Sequence, residues 1–253
     1  LHESAAGWNV VETPLTTNLL DLWGTADNNL YAVGMGGKII HFNGSAWTSM
    51  ESGTGQLLRD IWGTSTADLF AVGHNGTILH SNGAAWSPMT SNTSANLYGI
   101  WAASDSSVFA VGGGGLILHY NGSIWSDMGH SGADLLAVWG TSASNVYAVG
   151  LNGALTHYNG STWTDLSSGT SLQIYDVHGS GPNDVYASAS GRVIHYDGYN
   201  WTVLTTPAGS VLTAAWAAAP DDVTFVGYGG TVIHYNGPRP EMETYHEKAL
   251  GNI

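Results

Sequence analysis

Hydrophobic positions along the chain fall into short runs rich in Val, Ile, Leu, Tyr and Trp, separated by Gly, Asn, Asp and Ser. Such runs predict β-strands joined by tight turns. One unit, clearest at 135–166, recurs along the chain, and each copy carries four runs. The second copy has them at 57–63, 68–73, 77–81 and 85–89. The turn that closes each unit places a glycine at 44, 83, 122, 160, 198 and 237, so the six units are spaced 38 or 39 residues apart.

Four antiparallel strands in about 40 residues is the size of a β-propeller blade. The sequence therefore predicts an all-β, six-bladed β-propeller with four-stranded antiparallel blades. The sixth unit stops after its third run, whereas residues 7–18, which begin with Gly-Trp, align with the Trp-bearing fourth run of the other units. We expect this N-terminal strand to be the outer strand that closes the last blade, because the offset removes an exposed sheet edge. The predicted domain spans 1–237, closed as a ring, and 238–253 form a C-terminal tail outside it.

The unit at 150–163 resembles the repeats of bacterial secreted propellers of the Asp-box (BNR) and photosystem II assembly factor-like groups. Thr156, Gly160, Thr162 and Trp163 fit the Asp-box pattern, but Tyr158 stands at its Asp position. The resemblance implies a propeller fold, and the departure weakens transfer of a sialidase-like activity.

Composition narrows the function classes. The formal net charge is -14, with 19 acidic residues against 5 Lys plus Arg, which disfavours nucleic acid and anionic membranes as partners. There is no Cys, so thiolate chemistry is excluded. The low Lys content and the abundant Ser, Thr, Asn, Gly and Trp predict an extracellular or cell-surface protein. We expect no cofactor and no membrane insertion.

Regularly repeated residues have two interpretations. A histidine recurs on the third strand of each unit. The six histidines could form a ring that binds a metal or relays protons, but we expect each to form hydrogen bonds within its own blade. Tryptophans recur on the first and fourth strands of the units. They could stack on sugar rings, but we expect them to pack between neighbouring blades. The histidines are His41, His80, His119, His157, His195 and His234, and the tryptophans are Trp23, Trp62, Trp101, Trp139, Trp216, Trp47, Trp86, Trp125, Trp163 and Trp201.

Positions that break the repeat are the better candidates for a site, since the architecture does not require them. His178 replaces the first-strand Trp of the fifth unit, and Asp21, Asp60 and Asp176 lie two residues before that position. These carboxylates form a weak cation site or simply line a hydrated channel. Varied residues flank the first strands and the turns after the second. The predicted ligand-binding residues are Arg59, Asp60, His74, Tyr98, Tyr175, Asp176, His178, Arg192 and Tyr228.

The sequence favours a non-catalytic recognition or assembly module that binds a surface glycan or a protein, or builds a multimeric surface structure. The alternative is a glycan-active hydrolase or lyase using Asp60, Asp176 and His178, although no nucleophile–base spacing stands out. The tail at 238–253 is a disordered end, a linker or an arm for self-assembly.

Overall fold

The computed structural model describes residues 13–206 and 211–236, together with the backbone of 2–4, 7–9 and 243–246. Of Thr205 only the backbone is described. Within these residues the structure is all-β, with short 3-10 turns, and no helix is long and apolar enough to cross a membrane. The chain divides into two compact units, 1–97 and 98–253.

The first unit holds a short hairpin and two four-stranded antiparallel sheets, blades 1 and 2. In chain order its strands are β1 (His2–Ser4), β2 (Gly7–Asn9), β3 (Leu19–Ala26), β4 (Asn29–Gly34), β5 (Ile39–Phe42), β6 (Trp47–Met50), β7 (Leu58–Ser65), β8 (Asp68–Gly73), β9 (Ile78–Ser81) and β10 (Trp86–Met89). Single 3-10 turns at Met35–Gly37 and His74–Gly76 join the second and third strands of each blade.

The second unit holds blades 3 to 6, and the strand β11 begins at the boundary between the units. The strands are β11 (Leu97–Ser104), β12 (Ser107–Gly112), β13 (Ile117–Tyr120), β14 (Trp125–Asp127), β15 (Leu135–Ser142), β16 (Asn145–Gly150), β17 (Leu155–Tyr158), β18 (Trp163–Asp165), β19 (Ile174–Gly181), β20 (Asp184–Ala189), β21 (Arg192–Tyr196), β22 (Trp201–Thr205), β23 (Leu212–Ala219), β24 (Asp222–Gly227), β25 (Thr231–Tyr235) and β26 (Glu243–His246). The 3-10 turns here are Gly113–Gly115, Leu151–Gly153 and Tyr228–Gly230.

The prediction of six four-stranded antiparallel blades in a β-propeller arrangement is confirmed. Turn chemistry explains why the strands pair in sequence order. Asn75 and Asn152 adopt φ of 54° and 57° at the centres of their 3-10 turns, a left-handed conformation that Asn tolerates better than most residues. Gly76 follows with positive φ, and a Cβ there would lie 2.0 Å from the carbonyl oxygen of Thr93. Glycine is therefore required at that position.

The predicted N-terminal closing strand is wrong. β26 from the C-terminal segment pairs with β25 and completes blade 6, with Ile233 opposite Thr244. Residues 7–9 pair instead with 2–4, with Trp8 opposite Glu3. Part of the predicted outer tail thus belongs to a blade, and among the described residues the segment at 7–9 is not the outer strand of blade 6. An edge strand needs only backbone N–H and C=O groups, which any non-proline segment supplies, so the Trp motif did not decide the pairing.

The cores lie between successive blades. In the first unit, Tyr31, Val33 and Ile39 of blade 1 pack against blade 2, whose contributions include Leu58 and Ile61. A matching cluster joins blades 5 and 6 in the second unit. Small apolar residues alternate with large ones on the second strands of blades 2 to 5, and both faces of these strands are buried. Within each unit, neighbouring blades therefore pack face to face.

Candidate functional site

Most of the residues predicted to bind a ligand lie at one end of their own sheets. Antiparallel pairing brings the start of each first strand beside the turn that follows the second strand. The His74 N–H donates to the Leu57 carbonyl at 2.9 Å, and the Leu151 N–H donates to the Asp134 carbonyl at the same distance. We call this the turn end of each sheet. The opposite end carries the Asn-Gly or Asp-Gly turns between third and fourth strands.

A β-bulge at the turn end explains one of the variable positions of the repeat. The pairing register shifts between Leu58 and Asp60 in blade 2, and between Ile174 and Asp176 in blade 5. Arg59 and Tyr175 are the extra residues, and a bulge re-aims the side chain of its extra residue. The equivalent bulged residues in blades 1, 4 and 6 are Leu20, Leu136 and Thr213. Arg59 is exposed and Tyr175 half-buried.

The other predicted recognition residues lie at the same end of their own sheets. Tyr98, half-buried, occupies the repeat position equivalent to Arg59. His74 begins the turn of blade 2 and is half-buried, whereas Tyr228 begins that of blade 6 and is 67% exposed. Arg192 is exposed and pairs with Ala189 across the shortened turn of blade 5. The structure thus places Arg59 with His74 in the first unit, and Tyr175 with Arg192 in blade 5 of the second.

Asp60 and Asp21 have structural partners. Both carboxylates accept the Ile61 N–H, Asp21 through Oδ2 at 2.9 Å and Asp60 through Oδ1 at 2.8 Å. The Asp21 bond links blade 1 to blade 2. Burial raises the pKa of Asp21, an effect opposed by hydrogen bonds from the Asp60 side chain and from backbone N–H groups. These carboxylates therefore secure the first strands of neighbouring blades.

Asp176 and His178 link the first strand of blade 5 to the first strand of blade 6 through hydrogen bonds. Asp176 Oδ1 accepts the Val177 N–H at 2.8 Å, and Oδ2 accepts the Ala215 N–H at 2.9 Å. His178 Nδ1 accepts the Ala217 N–H at 3.1 Å, which places the ring proton on Nε2. Burial lowers the pKa of His178 from 6.5 to about 4, so the ring is neutral at pH 7. Sequence reasoning identified these positions as exceptional but missed their contacts with the next blade.

His178 also takes the packing position of the tryptophan it replaces. Its ring lies between Trp139 of blade 4 and Trp216 of blade 6, with centroid distances of 5.3 and 4.5 Å. Among the described residues no group of three or more His, Asp or Glu side chains could hold a metal ion. The cation site considered for Asp21, Asp60 and Asp176 has no such group to support it.

The repeated histidines bond within their own blades. Each imidazole uses Nε2 to meet the polar residue at the start of the second strand, and most stack on an aromatic ring of that strand. His157 Nε2 lies 2.6 Å from Asn145 Oδ1, and its ring is 4.4 Å from that of Tyr147. The corresponding pairs are His41–Asn29, His80–Asp68, His119–Ser107, His195–Asp184 and His234–Asp222. The prediction of hydrogen bonding within each blade is confirmed.

Two blades combine a hydroxyl, a carboxylate and an imidazole in one network. Thr64 Oγ1 donates to Asp68 Oδ2 at 2.6 Å, while His80 Nε2 bonds to Oδ1 of the same carboxylate at 2.8 Å. Ser180, Asp184 and His195 repeat this arrangement. The carboxylate is the central member, so the imidazole does not meet the hydroxyl as it would in a nucleophile–base pair. These networks fasten the first three strands of a blade together.

The repeated tryptophans pack between blades. A Cβ built on Gly179 would lie 2.6 Å from Cη2 of Trp139, and one on Gly140 would lie 3.0 Å from the same atom of Trp101. A first-strand Trp thus covers a small residue of the next blade. Trp201 of blade 5 meets Tyr147 of blade 4 edge to face at 5.6 Å. The packing interpretation is confirmed for these rings, but Trp216 is 59% exposed.

A cavity at the turn end of blade 4 was not predicted. It measures about 260 Å³ and is lined by the loop at 130–133, the turn of blade 4 and the residues at 165–166. His130 fixes one wall, because Nδ1 meets the Gly115 carbonyl at 2.8 Å and Nε2 meets Asp165 Oδ1 at 3.0 Å. His130 lies outside the repeated histidine positions. That irregularity was the signal in the sequence that could have drawn attention to it.

Comparisons with known proteins establish the fold. The WD40 repeats of RRP9 superpose with a TM-score of 0.77 at 10% identity, covering 92% of this chain and 81% of that one. The structure of U3-55K gives 0.75 at 10% identity, with 92% and 82% covered. YCF48 bound to a D1 peptide gives 0.48 at 15% identity, with 90% and 96% covered. No family model and no curated protein matches the sequence. The protein is therefore a β-propeller by structure.

Proposed function

We propose that the protein is a non-catalytic recognition module that binds a protein partner through the turn end of its blades. The observation that carries this proposal is the β-bulge that starts the first strands. Side chains at the regular positions of the repeat pack or form hydrogen bonds within the fold, whereas the bulged residues vary among Leu, Arg, Tyr and Thr. Polar and aromatic side chains such as Arg59 and Tyr175 stand there on a rigid sheet. Recognition surfaces favour such residues, since Tyr and Arg are enriched among residues that dominate binding energy.

Two further features of the turn end support a binding role. Tyr228 exposes an aromatic ring at the turn of blade 6, and the cavity beside His130 offers a concave surface at blade 4. Structural neighbours add a parallel, because WD40 repeats share the fold and YCF48 was solved with a bound peptide. A formal charge of -14 favours a partner with a basic or neutral contact surface.

The composition supports an extracellular or cell-surface location, and a surface glycan is the other ligand that this composition favours. The glycan-hydrolase alternative loses its basis in the described contacts. Asp60, Asp176 and His178 accept backbone N–H groups of the first strands, two of them between blades. We therefore assign Asp176 and His178 a role in holding blades 5 and 6 together, and Asp60 a role within its own first strand.

Binding through the turn end is tested by retention of proteins on the immobilised chain. The extracellular protein fraction of the source is passed over the wild type and over Arg59→Ala, Tyr175→Ala and Tyr228→Ala, and retained proteins are quantified by mass spectrometry. Tyr199→Ala is the matched control, because Tyr199 is 89% exposed at the opposite end of blade 5. A glycan array probed with the same variants tests the other ligand class.

We expect at least one turn-end variant to lose a specific protein about tenfold, which corresponds to roughly 1.4 kcal/mol, while Tyr199→Ala retains it. Equal retention by all variants would place the contact elsewhere. Glycan binding that depends on Tyr175 or Tyr228, without a retained protein, would replace the protein partner by a sugar.

A further inference from the structure

A buried threonine on the third strand of blade 4 interrupts an aliphatic position of the repeat. Thr156 is 1% exposed and stands where the other blades have an Ile or Leu that is equally buried. Those residues are Ile40, Leu79, Leu118, Ile194 and Ile233. Among the described residues, Thr156 Oγ1 has no hydrogen-bond partner. An unpaired buried hydroxyl destabilises a fold, so packing does not account for this threonine.

Thr156 lines the cavity at the turn end of blade 4. Asp165 lies opposite Thr156 across β17 and β18, so both side chains share one side of the sheet. The cavity lies wholly within the second unit. Its aliphatic walls are the buried Leu135 and Leu155 and the half-buried Leu151 and Leu166. The cavity thus combines apolar walls with a buried hydroxyl that is free to bond.

His130 holds one wall in place by a contact that the other blades make with a hydroxyl. In blade 4, Ser168 Oγ donates to the Gly153 carbonyl at 2.7 Å, and His130 meets the equivalent carbonyl of Gly115. The longer imidazole also reaches Asp165 on β18. The loop at 130–133 is therefore tied to blade 4, and the cavity keeps its shape without a ligand.

The size and the lining of the cavity define its ligand. A cavity of about 150 Å³ accommodates benzene, and sites for drug-sized molecules begin near about 300 Å³, so about 260 Å³ suits one substituted ring. The ring must be apolar at its sides and must offer a neutral hydrogen-bonding group to Thr156. A basic group is disfavoured, because the Asp165 carboxylate is already paired with His130. A phenol meets these requirements, since its hydroxyl both donates and accepts.

We propose that this cavity binds the phenol ring of a tyrosine side chain, with the ring against the leucines and the hydroxyl bonded to Thr156. The inference rests on the proposed function, because a protein partner presents the tyrosine. Tyrosine joins a large apolar ring to a neutral polar tip and is enriched among residues that dominate interface energies. The bulged residues do not line the cavity, so it adds a second contact at the turn end.

Titration with p-cresol, the tyrosine side chain alone, tests the site on the isolated chain. Two-dimensional amide NMR spectra should show shifts at Gly132, Gly153 and Ala154 with a Kd of about 1 mM, as expected of so small a ligand. Gly76, at the turn of blade 2, should not shift. Toluene is the matched probe without a hydroxyl, and N-acetyl-tyrosine amide is the probe that carries a peptide backbone.

Thr156→Val removes the hydroxyl and keeps the shape of the side chain. We expect a higher melting temperature, because an unpaired buried group is lost, and a preference for p-cresol over toluene that falls about tenfold. Ser188→Ala is the matched control. Ser188 is also fully buried, and its Oγ has no partner among the described residues, but it does not line this cavity. Its loss should leave the preference unchanged.

Four results would overturn the proposal. They are cavity amides that do not respond to p-cresol, an unchanged preference in Thr156→Val, tighter binding of n-butylamine than of p-cresol, and binding of p-cresol without N-acetyl-tyrosine amide. The last would assign the cavity to a free phenol. If p-cresol fails while a protein is still retained through Arg59 or Tyr175, the phenol site alone is rejected. If p-cresol binds but no protein is retained, the proposed function is rejected, and with it the partner as the source of the tyrosine.

Discussion

Replacing Gly179 by alanine tests whether a ring over a glycine holds neighbouring blades together. A Cβ there would approach the Asp184 carbonyl oxygen to 2.5 Å and Cη2 and Cζ3 of Trp139 to 2.6 and 2.8 Å. Ordinary contacts begin near 3.4 Å, so the strand or the ring must move. The carbonyl belongs to β20, which is paired with β19, and the ring is buried. Neither moves freely, and overpacking of this kind costs about 3 kcal/mol.

Gly181 supplies the matched control on the same strand. A Cβ at this position meets nothing within 4 Å. Gly181→Ala should therefore be neutral or should stabilise the protein by about 0.5 kcal/mol through reduced freedom of the unfolded chain. The difference between the two variants isolates the steric cost, since both gain the same methyl group.

Thermal unfolding followed by circular dichroism provides the measurement. For a chain of this length about 3 kcal/mol corresponds to a melting temperature lowered by roughly 6 to 12 °C. Adding Trp139→Phe removes the indole atoms nearest the new methyl and should recover part of the loss in Gly179→Ala. Equal melting temperatures for Gly179→Ala and Gly181→Ala would refute the proposed junction.

Three further substitutions examine other contacts. His178 has a folded pKa near 4 against 6.5 unfolded, so its unfolded form binds more protons between these values and stability falls as the pH drops through that window. Between pH 7.5 and 5 the free energy of unfolding, measured with urea, should fall by about 2 kcal/mol more in the wild type than in His178→Gln. Parallel pH profiles for the two proteins would contradict this. Asp176→Ala leaves the Ala215 N–H without its acceptor and should lower the free energy of unfolding by about 2 kcal/mol. Asp176→Asn should lower it less, and equal losses in the two variants would argue against a hydrogen-bonding role. His130→Ala should speed hydrogen exchange in its loop without a comparable change around His178, and unchanged exchange would mean that the contact with Asp165 does not order the loop.

The fold was predictable because its signals are local. Turn glycines recur at a fixed spacing, and the third-strand histidines and the tryptophans of the first and fourth strands mark each blade. Strand pairing in blade 6 was not predictable in the same way. The segment at 243–246, Glu-Thr-Tyr-His, lacks the Trp motif but offers the same backbone donors and acceptors as any strand. Side-chain pattern could not choose between two segments for an edge position.

The irregular positions of the repeat could be read from the sequence, but the contacts that their side chains make could not. Arg59 and Tyr175 stood out because their repeat position varies, and the structure explains this variation by the bulge. Asp176 and His178 stood out for the same reason but proved to bind the next blade. Their partners are the backbone N–H groups of Ala215 and Ala217, 39 residues further along the chain. Every non-proline residue has such a group, so the sequence does not indicate these contacts.

The ring-over-glycine junction gives the blade series a direction. Blades 1, 3 and 4 each place a Trp ring over a glycine of the next blade, so these blades fit their neighbours in one order and not in reverse. Because these three junctions use the same pair, the blades that form them are interchangeable at their borders. Duplication or loss of one repeat unit in the gene would leave matching surfaces on either side of the change. Blade number in such proteins can therefore evolve by whole units, without compensating substitutions at the new junction.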